Sequence, residues 1–415
     1  MSNRAFLRRP WRAASRLRRS IAVVAITAVF GSMPLSGASA ADPQIVKLGM
    51  IMTLSGPLAA QGDNIDKGSR LYVKLHEKEL PPDVKLEIIR RDDTGANPDV
   101  ARRLAQELIT RDHVQMLAGV SLTPNAAAIA PLSAAAKIPL ILMNATTSSL
   151  TRLSPYIARV SFTQWQLSYT MGEWAARHGF KHVHVAVTDF APGIDAEQAF
   201  IKGFAQNGGE ITGTVRIPLG SMEFAPYWER VKEAKPDALY LFTNNGRFST
   251  AAVKAYADTG MRQAGIALLG PADIVDDAEL PNMGDAVLGT ITAGHYAAHN
   301  QRPQNLAFIR AWKREYGANT TPNFMAVAAW DGMAAIFSVI RELKGNVSGD
   351  AAIAVLKHWH DADSPRGPIA IDPETRDVVQ DIYIDRVERV DGALATVQIE
   401  ALKNVKDPWK ILNPQ

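Results

Sequence analysis

Three short stretches of this 415-residue chain gather small hydroxyl and amide side chains between an apolar run and a helical pattern. They are Thr53-Leu54-Ser55-Gly56-Pro57, Gly119-Val120-Ser121-Leu122-Thr123-Pro124 and Asn144-Ala145-Thr146-Thr147-Ser148-Ser149. Hydroxyls and free backbone N–H groups are the donors that can hold a carboxylate. A helix N-terminus behind such a loop adds unpaired N–H groups and a partial positive charge. The same residue types also form turns and caps, so one such loop argues little. Three on the same edge of one sheet argue for binding an anion.

Other chemistry is thinly represented. His295 and His299 lie four apart, and His358 and His360 flank Trp359 beside Asp361 and Asp363. Helical histidines at that spacing can share a metal, but neither group has a third ligand at a recognised spacing. No metal or cofactor is expected. His182 and His184 alternate along a strand-like run and are expected to share one half-solvated face. Cysteine is absent, which removes disulfides and thiolate chemistry. No Gly-x-Gly-x-x-Gly follows the first strand, and no P-loop or Gly-x-Ser-x-Gly elbow occurs. The chain is not expected to be an enzyme.

The elements that must position the three loops alternate. Ile45–Thr53, Val84–Arg90, Val114–Gly119 and Pro139–Met143 read as apolar strands. Between them, 64–79, 98–112 and 123–137 carry helical signals, the second with Asn97 as N-cap and Pro98 in the first turn. Such a series builds a parallel sheet with right-handed crossovers. Ligands then bind beyond the carboxyl ends of the strands, where all three loops fall. The alternation restarts with a helix at 164–178 and a strand at 182–187, and continues to 266–269. The fold class is α/β, with two doubly wound lobes. Long helices near 304–316 and 323–343 and a β-rich tail follow, without a Gly/Ser-rich or Pro-rich linker. The lobes are therefore expected to be joined by ordered segments.

The first forty residues differ from the rest. Seven arginines precede the apolar run Ile21–Phe30, and Ala38-Ser39-Ala40 follows. This is the pattern of a cleaved secretory signal, with ordinary secretion favoured and a twin-arginine route left open. Without it, 38 of the 45 basic residues remain against 42 acidic ones, a net charge of −4. A mildly acidic protein argues against nucleic-acid binding and against docking on anionic lipid. No cysteine stands at the cleavage site to be lipidated, and no later apolar run is expected to span a membrane.

In its order of motifs the chain resembles the type I periplasmic binding proteins of branched-chain amino-acid ABC transporters. The resemblance rests on Ser55-Gly56-Pro57 with Gly62, the Gly119–Ser121 turn, Asn144-Ala145-Thr146, Leu150-Thr151, Tyr156-Ile157-Ala158-Arg159 and Asp189-Phe190-Ala191-Pro192-Gly193. It implies two Rossmann-like lobes with three crossing segments, near 159–162, 293–296 and 369–372. Residues 41–160 with 295–370 would form lobe one, and 161–294 with 371–415 lobe two. It implies a monomeric, periplasmic, non-enzymatic receptor that hands a small carboxylate to a membrane permease, with a sensory module on the same fold as the rival. Ser121, Ala145 and Thr146 would hold the carboxylate, with Ser55, Gln61, Leu122, Asn144, Thr147 and Gln164 also in the ligand site. Phe190, Asn244, Asn245 and Asp273 would close over the rest, Asp273 taking an ammonium if the ligand is an amino acid. Gln61 replaces a common aromatic, Asn144 a smaller residue, and Phe190 a common tyrosine. Aromatic acids, and more remotely amides or urea, therefore compete with leucine-like ligands. Phe162 and Trp165 either frame a planar ring or start a buried helix face.

Overall fold

The computed structural model describes residues 42–414; the leader-like residues 1–40 lie outside them. Strands β1 (Gln44–Met52), β2 (Val84–Asp92), β3 (Met116–Gly119), β4 (Leu140–Leu142) and β5 (Ile157–Arg159) form a parallel sheet in the order β2-β1-β3-β4-β5. Helices α1 (Ala59–His76), α2 (Pro98–Thr110) and α3 (Thr123–Ala136) make its crossovers. With helices over the sheet, its strands read as continuous apolar runs rather than as alternation. Leu48, Met50, Ile51 and Met52 are all buried. Asn97 stands at the α2 N-cap as expected, but its side chain makes no capping bond. The segment 157–159, expected only as part of a crossover, is a fifth strand beside β4, with Arg159 at its end.

The second lobe opens with α4 (Gln164–Arg177), β6 (His182–Thr188), α5 (Ala191–Gln206) and β7 (Glu210–Ile217). It continues through α6 (Ala225–Glu233), β8 (Ala238–Phe242), α7 (Arg247–Asp258), β9 (Ala267–Pro271), α8 (Leu280–Met283) and β10 (Ile291–Gly294). A reciprocal capping box starts α4: Thr163 Oγ1 accepts from Gln166 N at 3.1 Å, and Gln166 Oε1 from Thr163 N at 3.0 Å.

The chain then returns through α9 (Pro303–Tyr316), α10 (Phe324–Glu342) and α11 (Gly349–Leu356), of which α10 packs along α1. It ends with β11 (His360–Asp361), β12 (Ile369–Ile371), β13 (Val378–Val390), β14 (Ala393–Val405) and α12 (Pro408–Leu412). The second sheet runs β11-β12-β13-β10-β9-β8-β6-β7, with β14 on β13. The boundary expected at residue 370 falls inside β12, which pairs antiparallel with β11 on one side and with β13 on the other. One expectation is overturned: α10, 19 residues with a mean hydropathy of 1.4, is long and apolar enough to cross a membrane. It is apolar around its whole girth because it is enclosed within the protein, with 83% of that stretch buried.

One apolar cluster runs from Leu48 and Ile141 in the first sheet, past Phe162 and Ala293 at the crossings, to Val185 and Ile382 in the second. Buried Arg366 pairs with Asp331 of α10 at 2.8 Å and donates to the carbonyls of Val160 and Ser161. The first crossing is thereby tied to lobe one. His295, at the second crossing, stacks on Phe162 at 4.7 Å. Burial holds its pKa well below the ordinary value, so it is neutral and serves as packing.

Candidate ligand cleft

The first sheet reverses its strand order at β1 and the second reverses at β6, and the cleft lies at these two reversals. In the first sheet β1 sits between β2 and β3, so the loops after β1 and β3 are neighbours. They touch: Thr53 N donates to Ser121 Oγ at 3.3 Å. In the second sheet β6 sits between β7 and β8, and Thr188 Oγ1 donates to Thr243 Oγ1 at 3.2 Å. A glycine brings a helix close to the strand end in each lobe. A Cβ on Gly62 would stand 2.0 Å from the Thr53 carbonyl oxygen, and one on Gly193 1.8 Å from that of Thr188. No side chain fits at either place.

The loop after β3 is strained. Val120 has φ = 60°, a left-handed conformation that β-branched residues rarely adopt. Neighbours hold it there: its N–H donates to Ile51 O at 2.7 Å, and its carbonyl accepts from Ala145 N at 3.1 Å. The turn delivers Ser121 and Leu122 to the start of α3, whose N-terminus has no side-chain cap. Asn144 Nδ2 donates to Ser121 O at 2.7 Å and couples the second and third loops. Below them Asp93 accepts from Thr53 Oγ1 and Asn125 Nδ2, both at 2.7 Å, so this acid shapes lobe one.

A narrow cavity of about 30 Å³ is lined from lobe one by Gln61, Ser121, Leu122, Thr123, Asn144, Thr146 and Met325. From the other side come Gln164, Phe190, Pro192, Phe242, Asn244, Asn245 and Asp273. Phe190 and Phe242 stack with centroids 6.0 Å apart and planes at 27°. Gln61 Nε2 crosses to Asn245 Oδ1 at 3.0 Å. Gln164 Nε2 donates to Asp273 Oδ2 at 3.1 Å. The Oε1 atoms of both glutamines are buried with no partner in the protein. Burial pushes the Asp273 carboxyl up to about 7, partly offset by the Gln164 bond. Behind it Asp276 is also raised by burial, with Asn245 and Asn323 donating at 2.9 and 2.8 Å. Among the described residues, no lysine, arginine or histidine lines the cavity. An anion there must be held by hydroxyls and N–H groups.

A family model described as periplasmic binding protein matches residues 45–393. The chain belongs to the periplasmic binding protein family. It is the solute-binding component of an ABC importer. A Brucella melitensis relative named Leu/Ile/Val-binding protein homolog 6 is 36% identical over 374 residues, covering 89% of this chain and 95% of the relative. A solute-binding protein from Rhodopseudomonas palustris BisB5, solved with 3,4-dihydroxybenzoic acid, is 43% identical at a TM-score of 0.85. That match covers 88% of this chain and 99% of that one. One from Rhodopseudomonas palustris HaA2, solved with p-hydroxybenzoic acid, is 39% identical at 0.85 and covers 89% and 100%. A leucine-binding protein from Thermotoga maritima, at 21% identity and a TM-score of 0.74, shares the fold.

Of the residues singled out in the binding protein's sequence, Gln61, Ser121, Leu122, Asn144, Thr146, Gln164, Phe190, Asn244, Asn245 and Asp273 come together in the cleft. Three do not line it. Ser55 is exposed beside Asp92. Ala145 packs in the core, and its N–H is already used on Val120 O. Thr147 Oγ1 accepts from Thr123 Oγ1 at 3.2 Å instead of facing the cavity. Phe162 and Trp165 are buried behind the lining and do not frame it. Sequence reasoning did not single out Thr123, Pro192, Phe242 and Met325. Phe242 was within reach, because it ends β8 in the second sheet as Met52 and Gly119 end their strands in the first. Met325 reaches the cleft from the returning helix α10, and no local pattern announces that.

Proposed function

We propose that the binding protein captures a hydroxylated aromatic monocarboxylate, of the hydroxybenzoate class, in the interlobe cleft. It delivers the ligand to a membrane permease as an exported monomer without catalysis, residues 1–40 serving as the leader. The observation that carries this reading is the Phe190–Phe242 pair sharing one cleft with the partnerless Oε1 atoms of Gln61 and Gln164. An aromatic wall suits a ring. Buried acceptors without donors suit ring hydroxyls, since leaving such atoms unpaired is costly. The ligand carboxylate takes the Ser121 and Thr146 side, at the uncapped start of α3. Relatives 39–43% identical to this chain were solved with ligands of this class.

A branched-chain amino acid is the second reading. Buried Asp273 has no cationic partner and would take an ammonium. Calorimetric titration of the protein purified from cells expressing the full chain separates the two. The panel is 4-hydroxybenzoate, 3,4-dihydroxybenzoate, benzoate, leucine and urea. Hydroxybenzoates are expected to bind and, at a hundredfold excess over Kd, to stabilise by about 2.7 kcal/mol. Binding of leucine alone would install the second reading.

A further inference from the structure

An anion in this cleft meets no cation among the lining residues. Burying a carboxylate is expensive unless charge or hydrogen bonds compensate. Behind the lining, Arg159 at the end of β5 is fully buried. Its Nη1 donates to the Thr146 carbonyl at 3.1 Å, and its Nη2 to the Thr147 carbonyl at 2.7 Å. A longer bond runs from Nη1 to the Phe162 carbonyl at 3.4 Å. The rigid guanidinium fork thus grips two successive carbonyls of the loop that carries Thr146.

In a trans peptide the N–H points opposite to the carbonyl. The N–H that shares a peptide with the Thr146 carbonyl is that of Thr147, and it donates to Thr123 Oγ1, a cleft hydroxyl, at 3.4 Å. The N–H that shares a peptide with the Thr147 carbonyl is that of Ser148, and it donates to Asp195 of α5 at 3.0 Å. A cation on the carbonyl side polarises both peptides and strengthens both N–H donors.

We propose that Arg159 is a positioning residue for anion capture. It fixes the donor loop by gripping the Thr146 and Thr147 carbonyls, which holds Thr146 at the cleft and the Thr147 N–H on the cleft residue Thr123, while the Ser148 N–H is spent on Asp195 of α5. This rests on the reading that the ligand carboxylate lies at Ser121 and Thr146. Arg159 is held from behind by Asp377 at 3.4 Å, which also faces Lys410 at 3.3 Å and accepts from Thr151 Oγ1 at 3.1 Å. Without the guanidinium Asp377 keeps those two partners, but buried Asp407, whose carboxyl Asp377 pushes up and Arg159 draws down, loses a cation, so Arg159→Lys is the variant that keeps the local charge.

The test compares 4-hydroxybenzoate with the neutral 4-hydroxybenzamide on the wild-type and Arg159→Gln full chains. The carboxylate is expected to lose about tenfold or more in affinity and the amide less than about threefold. Arg159→Lys, which keeps the charge and loses the fork, restores most of the carboxylate preference. Equal losses for both probes would make Arg159 structural and overturn the proposal. If the wild type binds neither probe, the ligand reading has failed, and hydrogen exchange decides on Arg159. Amides 146–148 are then expected to exchange about tenfold faster in Arg159→Gln with β1 and β3 unchanged. Unchanged or uniformly faster exchange would overturn the proposal. Should Arg159→Gln not fold, Arg159→Lys is read by the same exchange criterion.

Discussion

At the residue scale the cleft turns on two side chains with opposite duties. On the proposed reading Thr146, which lines the cleft, supplies a hydroxyl to the ligand carboxylate, and valine would match its shape without the donor. Thr146→Val is expected to weaken hydroxybenzoate binding by about 1–3 kcal/mol, read by calorimetry, with Tm nearly unchanged. Asp273 sets a pH dependence. Burial pushes its carboxyl up to about 7. Below that pH the group is neutral and can donate to a ligand; above it, a second negative charge enters a cleft that already holds an anion. The ligand carboxyl and phenol ionise outside this window. Affinity for 4-hydroxybenzoate is therefore expected to fall as pH rises from about 6 to 8, and Asp273→Asn to flatten the profile. An ammonium ligand would reverse the sign, because it requires the ionised carboxylate.

At the element scale the helices are aimed by what their first turns lack. Gly193 lets α5 start against Thr188 O, where a Cβ would stand at 1.8 Å. Gly193→Ala forces α5 away from β6 and moves Phe190, the α5 N-cap residue, with it. It is expected to destabilise the fold by about 1–3 kcal/mol, seen in urea melts, and to weaken ligand binding as well. Much of this level was legible in the sequence. Apolar runs bounded by Gly, Pro and hydroxyl residues located β1, β3 and β4 and the loops after them, because parallel strands buried on both faces leave that pattern. What failed was anything decided across the sheet. Ser55 sits in a motif-like loop yet turns to solvent, and Ala145 has its N–H engaged by Val120. Neither outcome depends on local spacing. Met325 joins the lining beside residues such as Thr123 that stand far from it in the chain, and the buried Arg159 is paired with Asp377, equally remote in sequence.

At the scale of the whole molecule the lobes meet through a small set of polar bonds. Gln61 of lobe one donates to Asn245 of lobe two, and Asn245 donates to Asp276. Asp276 in turn accepts from Asn323, which caps α10 on lobe one by accepting from Met325 N and Ala326 N at 3.1 Å. Asn245 therefore stands in the middle of a chain that leaves lobe one at Gln61 and comes back to it at Asn323. The Gln61–Asn245 and Asn323–Asp276 bonds run between the lobes and contribute only when the lobes are together, so they bias the opening equilibrium, whereas the Asn245–Asp276 bond lies within lobe two. Apparent affinity equals the intrinsic affinity scaled by the fraction of molecules that are closed. Asn245→Ala removes one bond between the lobes, Gln61–Asn245, worth about 0.5–1.5 kcal/mol, together with the Asn245–Asp276 bond that holds Asn245 in place within lobe two. It leaves the Asn323–Asp276 bond and the α10 cap in place. Small-angle scattering is expected to show a larger radius of gyration for Asn245→Ala than for the wild type without ligand, and equal radii once both are saturated. The apparent Kd should rise by the same factor for every ligand in the panel, because closure is shared by all of them. A loss confined to one ligand would make Asn245 a recognition residue instead of a latch, and an unchanged radius with unchanged Kd would place the closing force elsewhere in the cleft.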